Sequence, residues 1–286
     1  MAVRYDPRPM GTLYLVATPI GNLEDVTLRA IRVLREAAHV YAEDTRRTRR
    51  LLDRHDIAAR PRSLHAHNEV ARFDEVLAAL DAGEDVALVS DAGTPLVSDP
   101  GERLVACVAE AGHTVSPVPG ASAVTSALVA SGLPVVPYTF VGFLSRKAGE
   151  RAALLSSLSD REETLVFFES PKRLAGTLRE MVTLFGDRAA CVARELTKIH
   201  EELARGTLSE LADRYAEEPK GEITIVVAGA PAGEVDPAQL RGRVSDAVTA
   251  GRSARDIAAD LHVETGVPRR VLYALVLEVQ REREGA

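Results

Sequence analysis

A chain of 286 residues, 46% hydrophobic and 27% charged, has the composition of an ordinary folded protein and the length to build two core-bearing domains. Its two cysteines, Cys107 and Cys191, sit in apolar runs, which excludes a disulfide scaffold and predicts buried free thiols. A net charge of −7 argues against nucleic-acid binding by the whole surface and leaves local basic patches as the alternative.

Residues 1–10 carry charge but no apolar core, so they read as a flexible start with no secretory signal. Strand and helix then alternate. Strands are predicted at Leu13–Ala17, His39–Ala42, Asp85–Val89 and Thr114–Val118. Helical patterns run over Thr27–Ala37, Thr45–Leu52, Asn68–Ala82, Gly101–Ala111 and Ala121–Ala130. Apolar strands spaced by helices of this length imply a mostly parallel sheet covered on both faces, an α/β domain over 11–134. The nearest approach to a membrane span, Val115–Tyr138, is broken by Pro117, Pro119, Pro134 and Pro137 and by Gly120 and Gly132, so a cytoplasmic protein is expected.

Pro134 and Pro137 also mark a boundary. A second α/β domain, 135–230, begins with Thr139–Leu144 and a charged helix over Lys147–Leu158. It continues with strand Thr164–Phe168, helix Lys172–Leu184, strand Ala189–Ala193, a hairpin-like Glu201–Thr207 and helix Leu208–Tyr215. The β-branched Glu222–Ala228 is expected at the centre of a mixed sheet. Residues 231–286 form a polar linker and three short helices, Gln239–Thr249, Ser253–Thr265 and Pro268–Arg281, with Ser253 and Asp256 resembling a capping box.

Three small-residue turns follow strands of the first domain: Pro19-Ile20-Gly21-Asn22, Ser90-Asp91-Ala92-Gly93 and Gly120-Ala121-Ser122. Turns of this kind at parallel strand ends are where α/β folds open ligand crevices, and the glycines allow close approach of backbone. Asp91 is suited to accept hydrogen bonds from a ribose or an amino group, or to form an Asx turn. Asp99, ahead of Pro100 and Gly101, reads as a helix cap. Neither the dinucleotide glycine fingerprint, nor a P-loop, nor a nucleophile elbow is present.

Glu43 and Asp44 end a strand just before Arg46, Arg47, Arg49 and Arg50, an arrangement suited to holding phosphates. His65, His67 and Glu69 alternate, but with no cysteine nearby they are weak as a metal site and no metal is expected; Asn68 reads as a cap for the next helix. In the second domain Phe168, Glu169, Lys172 and Arg173 share one strand-end turn, Arg194, Glu195 and Lys198 share another, and Lys220 and Glu222 flank Gly221.

Six segments together resemble the tetrapyrrole methylase superfamily, and within it the branch that methylates small-subunit ribosomal RNA. They are Thr12–Asp25 (TLYLVATPIGNLED), Ala42–Arg46 (AEDTR), Ser63–Glu69 (SLHAHNE), Leu88–Gly101 (LVSDAGTPLVSDPG), Phe168–Arg173 (FESPKR) and Ala193–Lys198 (ARELTK). Arg269–Ala274 (RRVLYA) extends the likeness into the helical tail. The resemblance implies a homodimer of two α/β domains of the tetrapyrrole methylase type with S-adenosyl-L-methionine bound between them. It implies methyl transfer to the ribose 2'-oxygen of cytidine 1402 in 16S rRNA, with the assembled 30S subunit expected as the substrate.

By motif, the resemblance assigns cofactor contacts to Pro19, Ile20, Gly21, Asn22, Ser90, Asp91, Ala92, Gly93, Ala121 and Ser122, and by order within the second domain to Phe168. A ribose hydroxyl is a poor nucleophile that needs alignment and a proton acceptor. Asp44, Glu169, Glu195 and Glu222 are the acids considered for that role, with Lys198 and Arg194 as cations beside them. RNA contacts are expected at Arg46, Arg47, Arg49, Arg50, Lys172, Arg173, Arg194, Arg269 and Arg270, on a nucleotide splayed from its stack. Two rivals are a methylase of a tetrapyrrole precursor and a non-catalytic RNA-binding factor of ribosome assembly.

Overall fold

The computed structural model describes residues 10–65, 68–231, 237–265 and 267–284. The expected flexibility of residues 1–9 and the role considered for His67 lie outside these. The first half runs β1 (Thr12–Val16), α1 (Leu28–Glu36), β2 (His39–Ala42), α2 (Thr45–Arg54), β3 (Arg62–Ser63), α3 (Phe73–Asp81), β4 (Val86–Val89), α4 (Glu102–Glu110), β5 (Thr114–Val118) and α5 (Ala123–Ser131). Its strands are parallel in the order β3-β2-β4-β1-β5.

Alternation along the strands splits the core into two layers. Val16, Ala87 and Val89 pack with α1 and α2 through Val33, Leu34, Leu51 and Leu52. Leu13, Val86 and Leu88 face the other way, against Val76 and Leu80 of α3 and Leu104 and Val108 of α4. All four residues of β4 are buried, as befits a parallel strand covered on both faces. The helices after β1 and β4 therefore leave on opposite faces, and β1 and β4 are neighbours. This is the topological switch point at which such sheets open a crevice.

The second sheet holds β6 (Tyr138–Phe143), β7 (Thr164–Glu169), β8 (Ala189–Arg194), β9 (Glu202–Thr207) and β10 (Ile223–Val227), with α6 (Ala148–Leu158), α7 (Leu174–Phe185) and α8 (Leu208–Arg214) between them. Its order is β6-β7-β10-β8-β9, with β6 and β7 parallel and the remaining pairs antiparallel. The β-branched β10 is the central strand and is buried throughout. One face of this sheet takes α5, whose Val124, Ala127 and Leu128 pack on Val166, Cys191, Ala193 and Val226. Cys191 is buried as expected, whereas Cys107 on α4 is only partly covered.

Both sheets fall within one compact unit, and residues 158–162 with 229 onward form a second. The second contains α9 (Pro237–Thr249), α10 (Ala254–Thr265) and α11 (Arg269–Glu284), with a core of Leu240, Val244, Ile257, Leu261, Leu272 and Val276. Ser253 caps α10: its Oγ accepts the Asp256 N–H at 3.2 Å and donates to the Asp256 carboxylate at 2.7 Å. Among the described residues no helix is long and apolar enough to cross a membrane.

The entrance to β1 is tied down by backbone. Gly11 N–H donates to Leu80 O at 2.9 Å, and Thr12 N–H donates to Asp85 Oδ1 at 2.8 Å. A Cβ on Gly11 would fall 2.1 Å from the Glu84 carbonyl oxygen, a backbone atom with no rotamer to escape into. Gly11→Ala is expected to cost about 2–3 kcal/mol through that overlap. In urea titration this reads as a lower midpoint at an unchanged slope.

Candidate active site between the two sheets

Beyond their parallel pairing, β1 and β4 cross. Thr18 N–H donates to Gly93 O and Gly93 N–H donates to Thr18 O, both at 2.9 Å, an antiparallel bridge between two strand-end turns. Thr18 Oγ1 donates to Ser90 O at 3.0 Å and Ser90 Oγ to Gly93 O at 2.7 Å, and both hydroxyl residues are buried. Satisfying the turn's polar groups in this way leaves Ile20, Asp91, Ala92 and Gly93 as one wall of a cavity of about 380 Å³. Gly93 holds φ at +84°, a conformation that favours glycine. The first turn of α5, Ser122 to Val124, completes this wall, and the Ser122 side chain does not cap it.

The opposite wall is one cross-strand row of the second sheet. Phe143 pairs with Phe168, Phe168 with Thr224, and Thr224 with Ala193, and all four line the cavity. Bulky rings at the β6 edge and small side chains at the centre leave the volume open over Thr224 and Ala193. The two walls meet where Asn22 N–H donates to Thr197 Oγ1 at 3.0 Å. A Cβ on Gly21 would fall 2.5 Å from Lys198 Cγ and 2.9 Å from Leu196 O, so that contact requires glycine.

The acids divide by what holds them. Glu169 is buried, and its carboxylate accepts the Arg173 guanidinium at both oxygens (2.7 and 2.9 Å), Ser170 N–H (2.7 Å) and Thr177 Oγ1 (2.6 Å). A carboxylate with its lone pairs filled in this way pins the turn after β7 and has no acceptor site left over for a ligand. Asp44 caps α2, and hydrogen bonds from the Arg46 side chain and N–H hold its carboxyl below the ordinary range. For Glu195, burial pushes the pKa up, but hydrogen bonds from Lys198 and the Glu222 N–H outweigh it and leave it lowered. Burial likewise opposes the charge of Lys198, and its bonds to Glu195 (2.7 Å) and Glu222 (2.9 Å) prevail, keeping it a cation. Glu222 lines the cavity with an exposed carboxylate, touched by Lys198 at Oε2.

Asp99 was expected to cap a helix and does not. Gly101 occupies the cap position of α4, and Asp99 Oδ2 is buried with no hydrogen-bond partner among the described residues. Burial, then the charges of Glu43 and Asp91, push the Asp99 carboxyl up to about 6. Glu43 shifts in the same direction, by desolvation and by Asp91. Asn68 departs from expectation too: its Oδ1 accepts His65 N–H (2.8 Å) and its Nδ2 donates to Ser63 O (3.1 Å), so it ties a turn instead of opening a helix.

Among the expected residues, Ile20, Arg47, Asp91, Ala92, Gly93, Ser122, Phe168, Glu169 and Glu222 line the cavity together. Pro19, Gly21, Asn22, Ser90, Ala121, Asp44, Glu195 and Lys198 lie in the turns behind them and are not part of its lining. Arg46 and Arg50 on α2 and Lys172 are exposed. Arg49 donates to Ala59 O (3.1 Å), Arg173 is committed to Glu169, and Arg194 to Glu202 (2.8 Å) and Lys220 O (3.0 Å). Arg269 and Arg270 are exposed on α11. Sequence reading missed Val97, Asp99, Phe143, Leu196, Gly221 and Thr224. For Thr224 the signal was present, as a small hydroxyl residue inside an otherwise aliphatic strand. Among the described residues no group of three His, Cys, Asp or Glu side chains is placed to hold a metal.

Comparison with known proteins now bears on this geometry. The sequence model of the tetrapyrrole (corrin/porphyrin) methylases matches residues 12–212, and the chain belongs to that family. It is similar to proteins named ribosomal RNA small subunit methyltransferase I from several bacteria. That of Micromonospora olivasterospora is 47% identical, covering 98% of this chain and 90% of the relative. Those of Synechocystis sp. and Bacillus subtilis are 45% and 40% identical, over 96% and 92% of this chain and 100% and 93% of theirs. Among solved structures, a cobalt precorrin-4 methyltransferase of cobalamin biosynthesis superposes with TM-score 0.59 at 18% identity, over 76% of this chain and 94% of the other. Uroporphyrin III C-methyl transferase from Thermus thermophilus does so with TM-score 0.53 at 23% identity, over 76% and 97%. At those identities the likeness is one of fold, and it is the fold expected from the sequence.

The Asp99 shift has a consequence for stability. Its folded carboxyl binds a proton up to about pH 6, its unfolded one up to about 3.8, so stability falls as pH rises between those values. Asp99→Asn removes that loss. The variant is expected to be more stable than wild type at pH 7–8, by about 1 kcal/mol once partial solvent screening is allowed for, with the difference gone by pH 4. Urea midpoints across pH 4–8 measure it.

Proposed function

We propose that this protein transfers a methyl group from S-adenosyl-L-methionine to the ribose 2'-oxygen of cytidine 1402 in 16S rRNA, acting in the cytoplasm as a homodimer on the assembled 30S subunit. The observation that carries this reading is the 40–47% identity, nearly end to end, to the relatives named for small-subunit ribosomal RNA.

The cavity's residues suit the methyl donor. Its volume is that of a site for one cofactor-sized ligand, and its lining joins apolar walls with a few polar groups. Gly93 in this wall holds a positive φ that other residues rarely adopt, which keeps the wall free of a side chain there. Asp91 presents a carboxylate to ribose hydroxyls or an ammonium group, and the first-turn N–H groups of α5 suit a carboxylate. Phe168 supplies an aromatic face for a purine. When bound, the sulfonium group supplies an already activated methyl, so the protein's task is alignment and proton management.

We assign the orienting of the 2'-hydroxyl to Glu222, the exposed acid of the lining, with Lys198 fixing its carboxylate. Asp99, whose carboxyl titrates near 6, lies in the same lining and is largely ionised at neutral pH, which suits it to accept a proton. Arg46, Arg47, Arg50 and Lys172 are assigned to the RNA backbone, along with Arg269 and Arg270 of the helical unit. Such contacts fix position without reading sequence.

Labelled S-adenosyl-L-methionine offered to 30S subunits lacking the mark, to naked 16S rRNA and to a tetrapyrrole precursor tests the proposal. Label is expected only with 30S, on the ribose of one decoding-region cytidine. Label on the tetrapyrrole alone overturns the RNA reading, and binding of the donor with no transfer favours a non-catalytic role. Glu222→Gln is expected to lower kcat roughly 100-fold with little change in donor affinity.

A further inference from the structure

Phe143 is 59% exposed yet lines the cavity, and the backbone has been bent to put it there. In a regular strand, positions 140 and 143 point to opposite faces, because side chains alternate with a period of two. The pairing of β6 with β7 slips between Phe140 and Gly142, so that Val141 is an extra residue, and Gly142 takes φ +79°. The bulge brings both rings onto one face. Phe140 meets Phe168 edge-on at 5.0 Å between centroids, and Phe143 meets the same ring at 5.4 Å with planes 55° apart. Bulges that re-aim a side chain recur beside active sites.

The facing rim is also held in an unusual shape. Leu96 and Ser98 adopt φ of +72° and +67°, conformations costly for residues with side chains, and Ser98 Oγ lies 3.4 Å from where a Gly142 Cβ would stand. Between them Val97 is 38% exposed at the mouth, and Arg47 reaches the same cavity from α2. One cavity is therefore lined by an open aromatic ring, an aliphatic side chain and the Arg47 cation, whose Nε stands 4.0 Å from Asp91 Oδ2.

Resting on the methyl-transfer reading above, we propose that Phe143 is the platform on which the base of the target nucleotide stacks after leaving its helix. A cavity of about 380 Å³ accommodates one ligand of the donor's size. With the donor inside, the acceptor's ribose has to enter from the mouth, and its base has to lie on the rim. A base offers a flat π-face and a phosphate, and the rim offers an exposed ring and Arg47. Stacking of an unpaired base on an aromatic side chain is how single-stranded nucleotides are held.

The test compares wild type, Phe143→Leu and Phe143→Tyr in steady-state methylation of 30S subunits, with donor affinity measured separately by calorimetry. Phe143→Leu keeps the apolar bulk but loses the π-face. It is expected to raise KM for 30S roughly 5- to 100-fold, far more than it raises the donor Kd, and Phe143→Tyr is expected to retain wild-type KM. A donor Kd raised as much as the KM in Phe143→Leu would assign the ring to the cofactor and overturn the proposal. So would an unchanged KM in an active, folded Phe143→Leu. Failure of wild type itself to methylate 30S would remove the underlying reading and is distinguished by that control.

Discussion

Thr18 and Gly93 exchange two backbone hydrogen bonds, and the rest of the site hangs on that crossing. Two parallel strands that end side by side leave their next N–H and C=O groups without a ladder. Here the turns lie across one another and satisfy those groups internally, with the hydroxyls of Thr18 and Ser90 filling what remains. The result is a hydrogen-bonded wall in which Ala92 and Gly93 line the cavity beside Ile20. It lies where the helices after β1 and β4 diverge to opposite faces, so the crevice follows from topology and the wall from local bonding.

The second sheet contributes by gradation of size. Along one register row, aromatic side chains at the β6 edge give way to Thr224 and Ala193 at the centre, which hollows the sheet's face beside α5. The charged groups are sorted behind this surface. Arg173 and Arg194 neutralise Glu169 and Glu202 and stiffen the strand-end turns, while Lys198 couples two turns through Glu195 and Glu222. Glu43, Asp91 and Asp99 gather on the first sheet's side, where Asp91 accepts the Asp44 N–H at 2.7 Å, and burial, then the charges of Glu43 and Asp91, raise the Asp99 carboxyl. The polarity of the cleft is thus uneven, with neutralised pairs on one wall and an acidic cluster on the other.

Much of this architecture was legible in the residues. Strands buried on both faces read as continuous apolar runs whatever their direction, and Val86–Val89 and Ile223–Val227 were found for that reason. The two-residue β3 was not, because Arg62 and Ser63 are too few to carry a period. The helix expected from Asn68 begins only at Phe73, since Asn68 turns back to His65 and Ser63, and Glu69 reaches across to the N–H of Leu104 at 2.9 Å. The three glycine turns, read as one wall, contribute Ile20, Asp91, Ala92, Gly93 and Ser122 to the lining, whereas Gly21 is turned to Leu196 and Lys198. Phe143 and Asp99 were not, because a bulge and an uncapped carboxylate are set by neighbours distant in sequence.

The central claim is that strand-end turns from both sheets form a single site for S-adenosyl-L-methionine. Hydrogen–deuterium exchange with and without saturating donor tests it directly. Protection appearing together at residues 19–22, 90–94 and 121–124 on one side and 221–224 on the other is the predicted result. Protection confined to one sheet, or falling elsewhere while calorimetry shows the donor bound, would contradict it.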